Sequence, residues 1–380
     1  MMKRWAAGLF FALFFLYNQC GSLSEGETSA KAACIMEMET GRVLFSYNMH
    51  EQLPMASTTK VMTALLAIEN GDMDSMVVCS ERAFGVSGTS IYLSLGEKLM
   101  LSDMLLGLML SSGNDAAVAI GEHIGGSIEG FLTMMNARAR EIGAEHTLFA
   151  NPHGLPDDNH YTTAYDLALI ARTAMGNETF RRIVSTSRAS IPWEGRAYDR
   201  QLKNKNRLLT EYPGATGIKT GYTSKAGRCL VFGASREGME LVGVVLGCSD
   251  WFNEAKRLLD ACFDTYSMTD VLGPRRSAGQ MAVSGGESEQ VGMCLMEELT
   301  VPLAEGEAAQ IVLDVPGQVN APVYPGMHLG TAHLLVGGRE YASCEVVASS
   351  GVGSRRMHLD VMRVLANWTL QRAGDTGRTR

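Results

Sequence analysis

Three short stretches put nucleophilic, basic and amide side chains at spacings that suit acyl transfer: Ser57-Thr58-Thr59-Lys60, Ser112-Gly113-Asn114 and Lys219-Thr220-Gly221. Residues i and i+3 of a helix lie side by side, so a Ser57 hydroxyl in a first turn would meet the Lys60 amine. A serine becomes a nucleophile when an adjacent base takes its proton. An ordinary lysine, with a pKa near 10.4, is neutral only about 0.04% of the time at pH 7, so Lys60 needs a downward shift of roughly three units, about 4 kcal/mol. A helix N-terminus, burial and a second ammonium all push that way, and Lys219 is the second ammonium on offer.

Each stretch also has a purely structural explanation: a helix cap, a helix-breaking turn and a basic strand end. Ser-x-x-Lys is expected about once by chance in a chain of this length, and Ser46-Tyr47-Asn48 also satisfies Ser-x-Asn. Lys-Thr-Gly is scarcer, about one such chain in ten. The weight comes from order and placement. Ser57 and Lys60 open an apolar helical run that stops at Asn70-Gly71, and Ser112 and Asn114 sit where the helix 101–110 breaks before another resumes at 115–124. Lys219 ends a strand-like run, 216–220.

The elements around these stretches read as an α+β unit. A hairpin over 33–47 turns at Thr40-Gly41, helices 127–142 and 163–175 flank the loop 151–158, and strands are expected at 189–193, 228–236 and 239–246, with a closing helix at 251–266. An antiparallel sheet drawn from both ends of the unit around a helical cluster fits that order. After Gly273 the Gly/Ser/Arg-rich run 274–286 reads as a linker, and 287–352 as short strands punctuated by Pro and Gly, a small all-β module. Met357 to Leu370 sets Met357, Val361, Leu365 and Trp368 on one stripe among arginines, a helix that could lie on a membrane surface or dock on the β module. The organisation expected is therefore a leader over 1–30, a catalytic domain over 31–268, a linker over 269–286, the β module over 287–352 and the helical tail over 353–380.

The leader reading rests on Met1-Met2-Lys3-Arg4 followed by thirteen uncharged residues, Trp5 to Tyr17, and then small polar residues. That is a secretory signal rather than a transmembrane span, with cleavage after Ala30 or nearer Ser22. The net charge of -8 and a pI near 5.6 leave no basic stretch to follow phosphates, which argues against a nucleic-acid partner. None of the eight cysteines is spaced as a metal knuckle or redox pair, and their apolar settings read as small buried hydrophobes. His153 and His160 lack partners at ligand spacing, so no metal or cofactor is expected, and His153 reads as a loop-ordering residue.

Taken with Asn151-Pro152-His153-Gly154-Leu155 and Tyr222-Thr223-Ser224-Lys225-Ala226-Gly227, the three stretches resemble the serine D-alanyl-D-alanine carboxypeptidases, low-molecular-mass penicillin-binding proteins with a β-lactamase/transpeptidase-like domain. The likeness covers nearly the whole chain, including the β module around Ala321 to Gly326 and the terminal helix, which resembles the family's membrane anchor. It implies that Ser57 attacks the bond between the two terminal D-alanines of a peptidoglycan stem peptide, with Lys60 as base and β-lactams as covalent inhibitors. It further implies that Ser112 relays a proton to the leaving D-alanine and that Asn114 holds the substrate backbone. The amides of Ser57 and of Tyr222, after Gly221, would form the oxyanion hole, and Thr220 would hold the terminal carboxylate. The expected place of work is outside the cytoplasm.

One position departs from the pattern. Relatives carry an arginine near the start of the closing helix, where this chain has Trp251, so the carboxylate falls to Thr220, Lys219 and Arg228. A class A β-lactamase would need a Glu-x-x-x-Asn loop to activate water, and Leu148 to Gly154 has no such glutamate. An endopeptidase acting on cross-links would use the same site, and a non-catalytic wall-binding protein would keep the pocket without turnover.

Overall fold

The computed structural model describes residues 28–355, the backbone of 11–13, and residues 361–367. The described chain divides into two compact units, one from Thr28 to Ser267 and one from Met268 onward that also takes in Phe11–Leu13.

The first unit is built on a five-stranded antiparallel sheet ordered β2-β1-β9-β8-β7, from β1 (Ala32–Glu37), β2 (Val43–Tyr47), β7 (Ala215–Thr223), β8 (Gly227–Arg236) and β9 (Met239–Leu246). The first two and last three strands come from opposite ends of the unit, as the sequence order implied. Every residue of β1 is buried, because helices cover both faces of the sheet; such strands read as continuous apolar runs rather than alternating ones. On one face α5 (Ala164–Met175) packs against β1 and β9, and on the other α8 (Trp251–Thr265) packs against β8 and β9.

The helix α1 (Lys60–Asn70) runs through the middle of the helical cluster, and all its residues from Lys60 to Ala67 are buried. Its first turn is tighter than an α-helix: Ala56–Thr59 is a 3₁₀ turn that carries Ser57. The apolar run after residue 100 likewise splits into α2 (Leu101–Leu106) and a π turn, Gly107–Ser111. Single π turns occur often at functional sites; this one delivers Ser112 and then α3 (Asn114–Gly125). Ser127 and Thr163, the expected first residues of α4 (Ile128–Ile142) and α5, are instead their N-caps, each accepting a backbone N–H through its side-chain oxygen. Elements not foreseen include α6 (Glu178–Ser185), capped by Asn177, the strand Arg200–Lys203, which pairs with Arg188–Ile191, and the short helix α7 (Leu208–Glu211).

The second unit holds a seven-stranded sheet whose order is Phe11–Leu13, Ala309–Asp314, His328–Val336, Arg339–Ala348, Gln290–Leu295, Ser277–Ser284, Gln318–Asn320. The stretch read as a linker differs from that expectation, because it carries the strands Tyr266–Leu272 and Ser277–Ser284. Ala278, Met281 and Val283 supply the buried side of the latter among small polar neighbours. Apart from Phe11–Leu13 and Thr28 to Ala30, the expected signal peptide lies outside the described residues. Of the terminal amphipathic helix, 361–367 is helical and exposed, and the rest lies outside the described residues. No described helix is long and apolar enough to cross a membrane. Cys34, Cys79, Cys229, Cys248, Cys262, Cys294 and Cys344 are buried free thiols.

Candidate active site

The 3₁₀ turn holds Ser57 half-buried, while Thr58, Thr59 and Lys60 are sealed beneath it. Ala56 adopts φ +49°, a left-handed conformation that costs a non-glycine residue about 1–2 kcal/mol. Its neighbours over-determine it. The backbone at Gly154 packs so tightly that a Cβ there would fall 1.9 Å from the Ala56 carbonyl oxygen, and one at Gly221 would fall 2.8 Å from the Ser57 nitrogen. These glycines press the nucleophile's turn between the 151–155 loop and β7.

Lys60 has no exposed surface. Its Nζ lies 3.1 Å from Ser57 Oγ, 2.7 Å from Asn114 Oδ1 and 2.6 Å from the His153 carbonyl oxygen. Burial holds its pKa well below the usual lysine range; the ammoniums of Lys219 and Lys205 add to the depression and Asp115 opposes it. A neutral amine has two protons and one lone pair. The two shorter contacts are to oxygens that can only accept, so the protons go there and the lone pair faces the Ser57 hydroxyl.

Lys219 is buried on β7 and donates to the Thr220 carbonyl at 2.8 Å. Burial, with a smaller contribution from Lys205, brings its pKa down to about 7. Thr220 and Gly221 follow it into the core, and Tyr222 is 64% exposed at the rim. Ser112 ends the π turn at φ +66° and is buried. Asn114 joins the helical and loop walls: besides accepting from Lys60, it donates through Nδ2 to the Ser87 carbonyl at 2.7 Å. The structure thus brings Ser57, Lys60 and Asn114 into direct contact, couples Lys219 to Lys60 electrostatically, and sets Gly221 against the Ser57 amide. Among the described residues no hydrogen bond joins the Ser112, Thr220 or Tyr222 side chain to this cluster.

Several contributors escaped sequence reasoning. Lys205 lies in the Lys203-Asn204-Lys205-Asn206-Arg207 run, where two buried asparagines pin the backbone; its own amide donates to Leu110, just before Ser112. Alternating charge and asparagine was the only signal. The Asp115 carboxylate accepts from Ser90 Oγ at 2.6 Å and from the amides of Ile91, Leu93 and Ala116. It thereby ties the 87–93 loop to the start of α3. His153 contributes its carbonyl to Lys60 while its half-buried ring, its pKa pushed down to about 3 by desolvation and then by Lys60 and His160, accepts the Leu155 amide. That ring orders the loop, as expected. Trp251 opens α8 with its ring tilted against Phe252. A shallow 450 Å³ hollow beside Tyr222 is lined instead by Gly227, Arg228, Gly247, Cys248 and Ser249. Arg228, paired across the ladder with Tyr222, donates to the Ser249 carbonyl.

A serine pressed between two glycines, with the lone pair of a buried lysine facing it and a second low-pKa lysine on an adjoining strand, is an arrangement that suits a serine-type peptidase. Residues 20–250 match the D-alanyl-D-alanine carboxypeptidase family, and the chain belongs to it. The curated D-alanyl-D-alanine carboxypeptidase DacF of Bacillus subtilis is 33% identical over 357 residues, covering 91% of this chain and 92% of that protein. A crystal structure of penicillin binding protein 5 from Haemophilus influenzae superposes with TM-score 0.72 at 26% identity, covering 87% of this chain and 99% of that one. A Streptomyces DD-transpeptidase superposes with TM-score 0.60 at 30% identity over 63% of this chain and 99% of its own.

Proposed function

We propose that this serine-type carboxypeptidase removes the terminal D-alanine from peptidoglycan stem pentapeptides through an acyl-enzyme on Ser57. The observation that carries this reading is the arrangement of Lys60, which spends both protons of its neutral form on Asn114 and His153. Ser57 Oγ gives its proton to Lys60 Nζ as it bonds to the penultimate D-alanine carbonyl. The developing oxyanion is received by the amides of Ser57 and Tyr222, each such donor being worth about 10² to 10³ in rate. The proton held on Lys60 is relayed through the Ser112 hydroxyl, which takes it as it gives its own to the departing nitrogen; the C–N bond breaks, D-alanine leaves and Lys60 is neutral again. Water then adds to the ester and releases the shortened stem and Ser57.

The leaving residue carries a carboxylate. Lys219, Thr220 and Arg228 receive it, with the Lys205 charge acting through space, which supplies positive charge without the arginine that Trp251 replaces. Asn114, its oxygen engaged by Lys60, offers its remaining amide proton to the substrate backbone. β-Lactams, as cyclic mimics of the D-Ala-D-Ala amide, acylate the same Ser57. The enzyme works outside the cytoplasm after export, and the terminal helix holds it at the membrane surface.

Incubation with a labelled penicillin and with a pentapeptide ending in D-Ala-D-Ala tests the reading. Wild type is expected to be labelled and to release D-alanine, and Ser57→Ala to do neither. Labelling of Ser57→Ala to the wild-type extent refutes the nucleophile assignment, and labelling without D-alanine release favours a non-catalytic penicillin-binding role. Preferential release from cross-linked wall fragments would make it an endopeptidase. Deleting 357–380 is expected to move the enzyme from membrane to soluble fractions with catalysis unchanged; unchanged fractionation ends the anchor reading.

A further inference from the structure

We propose that His160, acting through the Thr59 hydroxyl, is a positioning residue that sets the plane of the Ala56–Ser57 peptide and so aims the Ser57 amide at the oxyanion. The inference rests on the acyl-enzyme reading of Ser57. It begins with a chain of hydrogen bonds that the mechanism does not use. The Ala150 amide donates to His160 Nδ1 at 3.0 Å, so in the neutral ring the proton sits on Nε2. That nitrogen is 2.7 Å from Thr59 Oγ1 and donates to it. With its acceptor side engaged, the Thr59 hydroxyl turns its own proton to the Ala56 carbonyl at 2.8 Å. The Thr59 hydroxyl thus accepts from one partner and donates to another, and each donor direction follows from the one before it.

The Ala56 carbonyl and the Ser57 amide belong to one planar peptide, so fixing the direction of C=O fixes that of N–H. The plane needs fixing, because Ala56 is at φ +49° and would relax toward an ordinary conformation if released. Gly154 and Gly221 block the peptide sterically; Thr59 supplies the directional contact. The histidine is kept as a constant donor: Thr59 has no exposed surface and His160 is 3% exposed, with its ring edge-on to Phe149. Burial lowers its pKa to about 4; of the charges facing it, Lys60 lowers and Asp157 raises that value, and the neighbouring His153 ring is itself neutral. Across the neutral range no proton competes with the Ala150 amide.

The test uses the full chain and separates ground-state binding from oxyanion stabilisation. Thr59→Val keeps shape and removes the hydroxyl, while Thr59→Ser restores it. A peptidyl boronic acid whose tetrahedral adduct places an oxygen in the oxyanion hole is the transition-state probe, and KM for the pentapeptide reports the ground state. Thr59→Val is expected to lose about 10- to 100-fold in both penicillin acylation and boronate affinity, short of the effect of deleting an oxyanion donor outright. KM should stay within threefold, and Thr59→Ser within threefold of wild type throughout. Should Thr59→Val not fold, His160→Gln, which keeps a donor for Thr59, is expected to exceed His160→Phe in acylation by at least tenfold. The proposal is overturned if Thr59→Val acylates within threefold of wild type, if KM rises in step with the loss of boronate affinity, or if the two His160 variants acylate alike. A wild type that no penicillin labels would instead refute the parent reading.

Discussion

Gly154→Ala isolates the contact that holds the nucleophile's turn. The new Cβ would sit 1.9 Å from the Ala56 oxygen, 2.3 Å from its carbon and 2.8 Å from the Ser57 nitrogen. All three are backbone atoms, so no side chain can swing aside. The shortest contact is about 1.5 Å inside ordinary van der Waals separation; the Ala56–Ser57 peptide or the 151–155 loop must move by about an ångström. A misplacement of about 1 Å at a reacting centre can cost about 10² in rate, and the loop also carries the His153 carbonyl that holds Lys60. The residue has φ +93°, so a conformational cost of roughly 1–2 kcal/mol accompanies the clash. Gly85→Ala separates the two effects, since it has φ +70° and nothing within 4 Å of the new Cβ. Rates of labelled-penicillin acylation and urea unfolding should be measured for both variants. Gly85→Ala should lose stability and acylate normally; Gly154→Ala should acylate at least about 100-fold slower while still showing a folding transition. Acylation of Gly154→Ala within threefold of wild type would mean that the turn is not held as described.

Lys205→Met removes one like charge facing Lys60 and Lys219, so both pKa values rise and the acid limb of the kcat/KM profile moves to higher pH by roughly half to one unit; an unmoved limb contradicts the coupling. Because the Lys219 pKa is about 7, binding a carboxylate there favours its charged form. Calorimetry in buffers of different ionisation enthalpy should therefore show net proton uptake at pH 7.5, with affinity falling as pH rises further. Arg200 and Glu97 form an ion pair at 2.9 Å with side chains 4% and 0% exposed. Breaking it with Glu97→Gln should cost about 3 kcal/mol in urea unfolding, and a loss under about 1 kcal/mol would show the site relaxes or admits water. Thr28 Oγ1 donates to Glu254 at 2.6 Å, Ser29 Oγ lies 3.2 Å from Cys248 Sγ and Ala30 is 5% exposed. N-terminal sequencing of exported protein should then find a start upstream of Thr28, and a start at Lys31 would refute this.

The parts of the site that were legible are those whose chemistry dictates local spacing. Ser57 and Lys60 must be one turn apart to meet, and Lys219 must lie on a strand beside them, so both survive as patterns in one dimension, although the strand runs on to Thr223 rather than ending near Lys219. Lys205 was not legible, because it acts through space on residues over 140 positions away from it in one case and its own neighbours carry no pattern. The Asn114 role was half legible: the residue was singled out, but its contact with Lys60 depends on how α1 and α3 pack. Misread elements have similar causes. Ser277–Ser284 looks like a linker because its exposed residues are small and polar, while only Ala278, Met281 and Val283 mark the buried side. The helix α6 has just three buried residues, Phe180, Ile183 and Val184, too few to establish a period over eight positions.

The three lysines divide two demands that would otherwise conflict. A base must be neutral, and an anionic substrate needs positive charge close by. If repulsion from Lys219 and Lys205 were the main reason for Lys60 to be neutral, an arriving carboxylate would screen that repulsion and return Lys60 to its charged form when it is needed. Burial is instead the largest cause at Lys60, and the ammoniums come after it. Burial does not change when the carboxylate docks. The largest single cause of the shift therefore survives docking, which keeps the lone pair on Ser57. Lys219 has a milder depression, to about 7, and is the member that can answer the substrate by gaining a proton. The Ser57 turn needs no such response, because Gly154, Gly221 and the uncharged Thr59–His160 pair hold it by shape and hydrogen bonds rather than by charge.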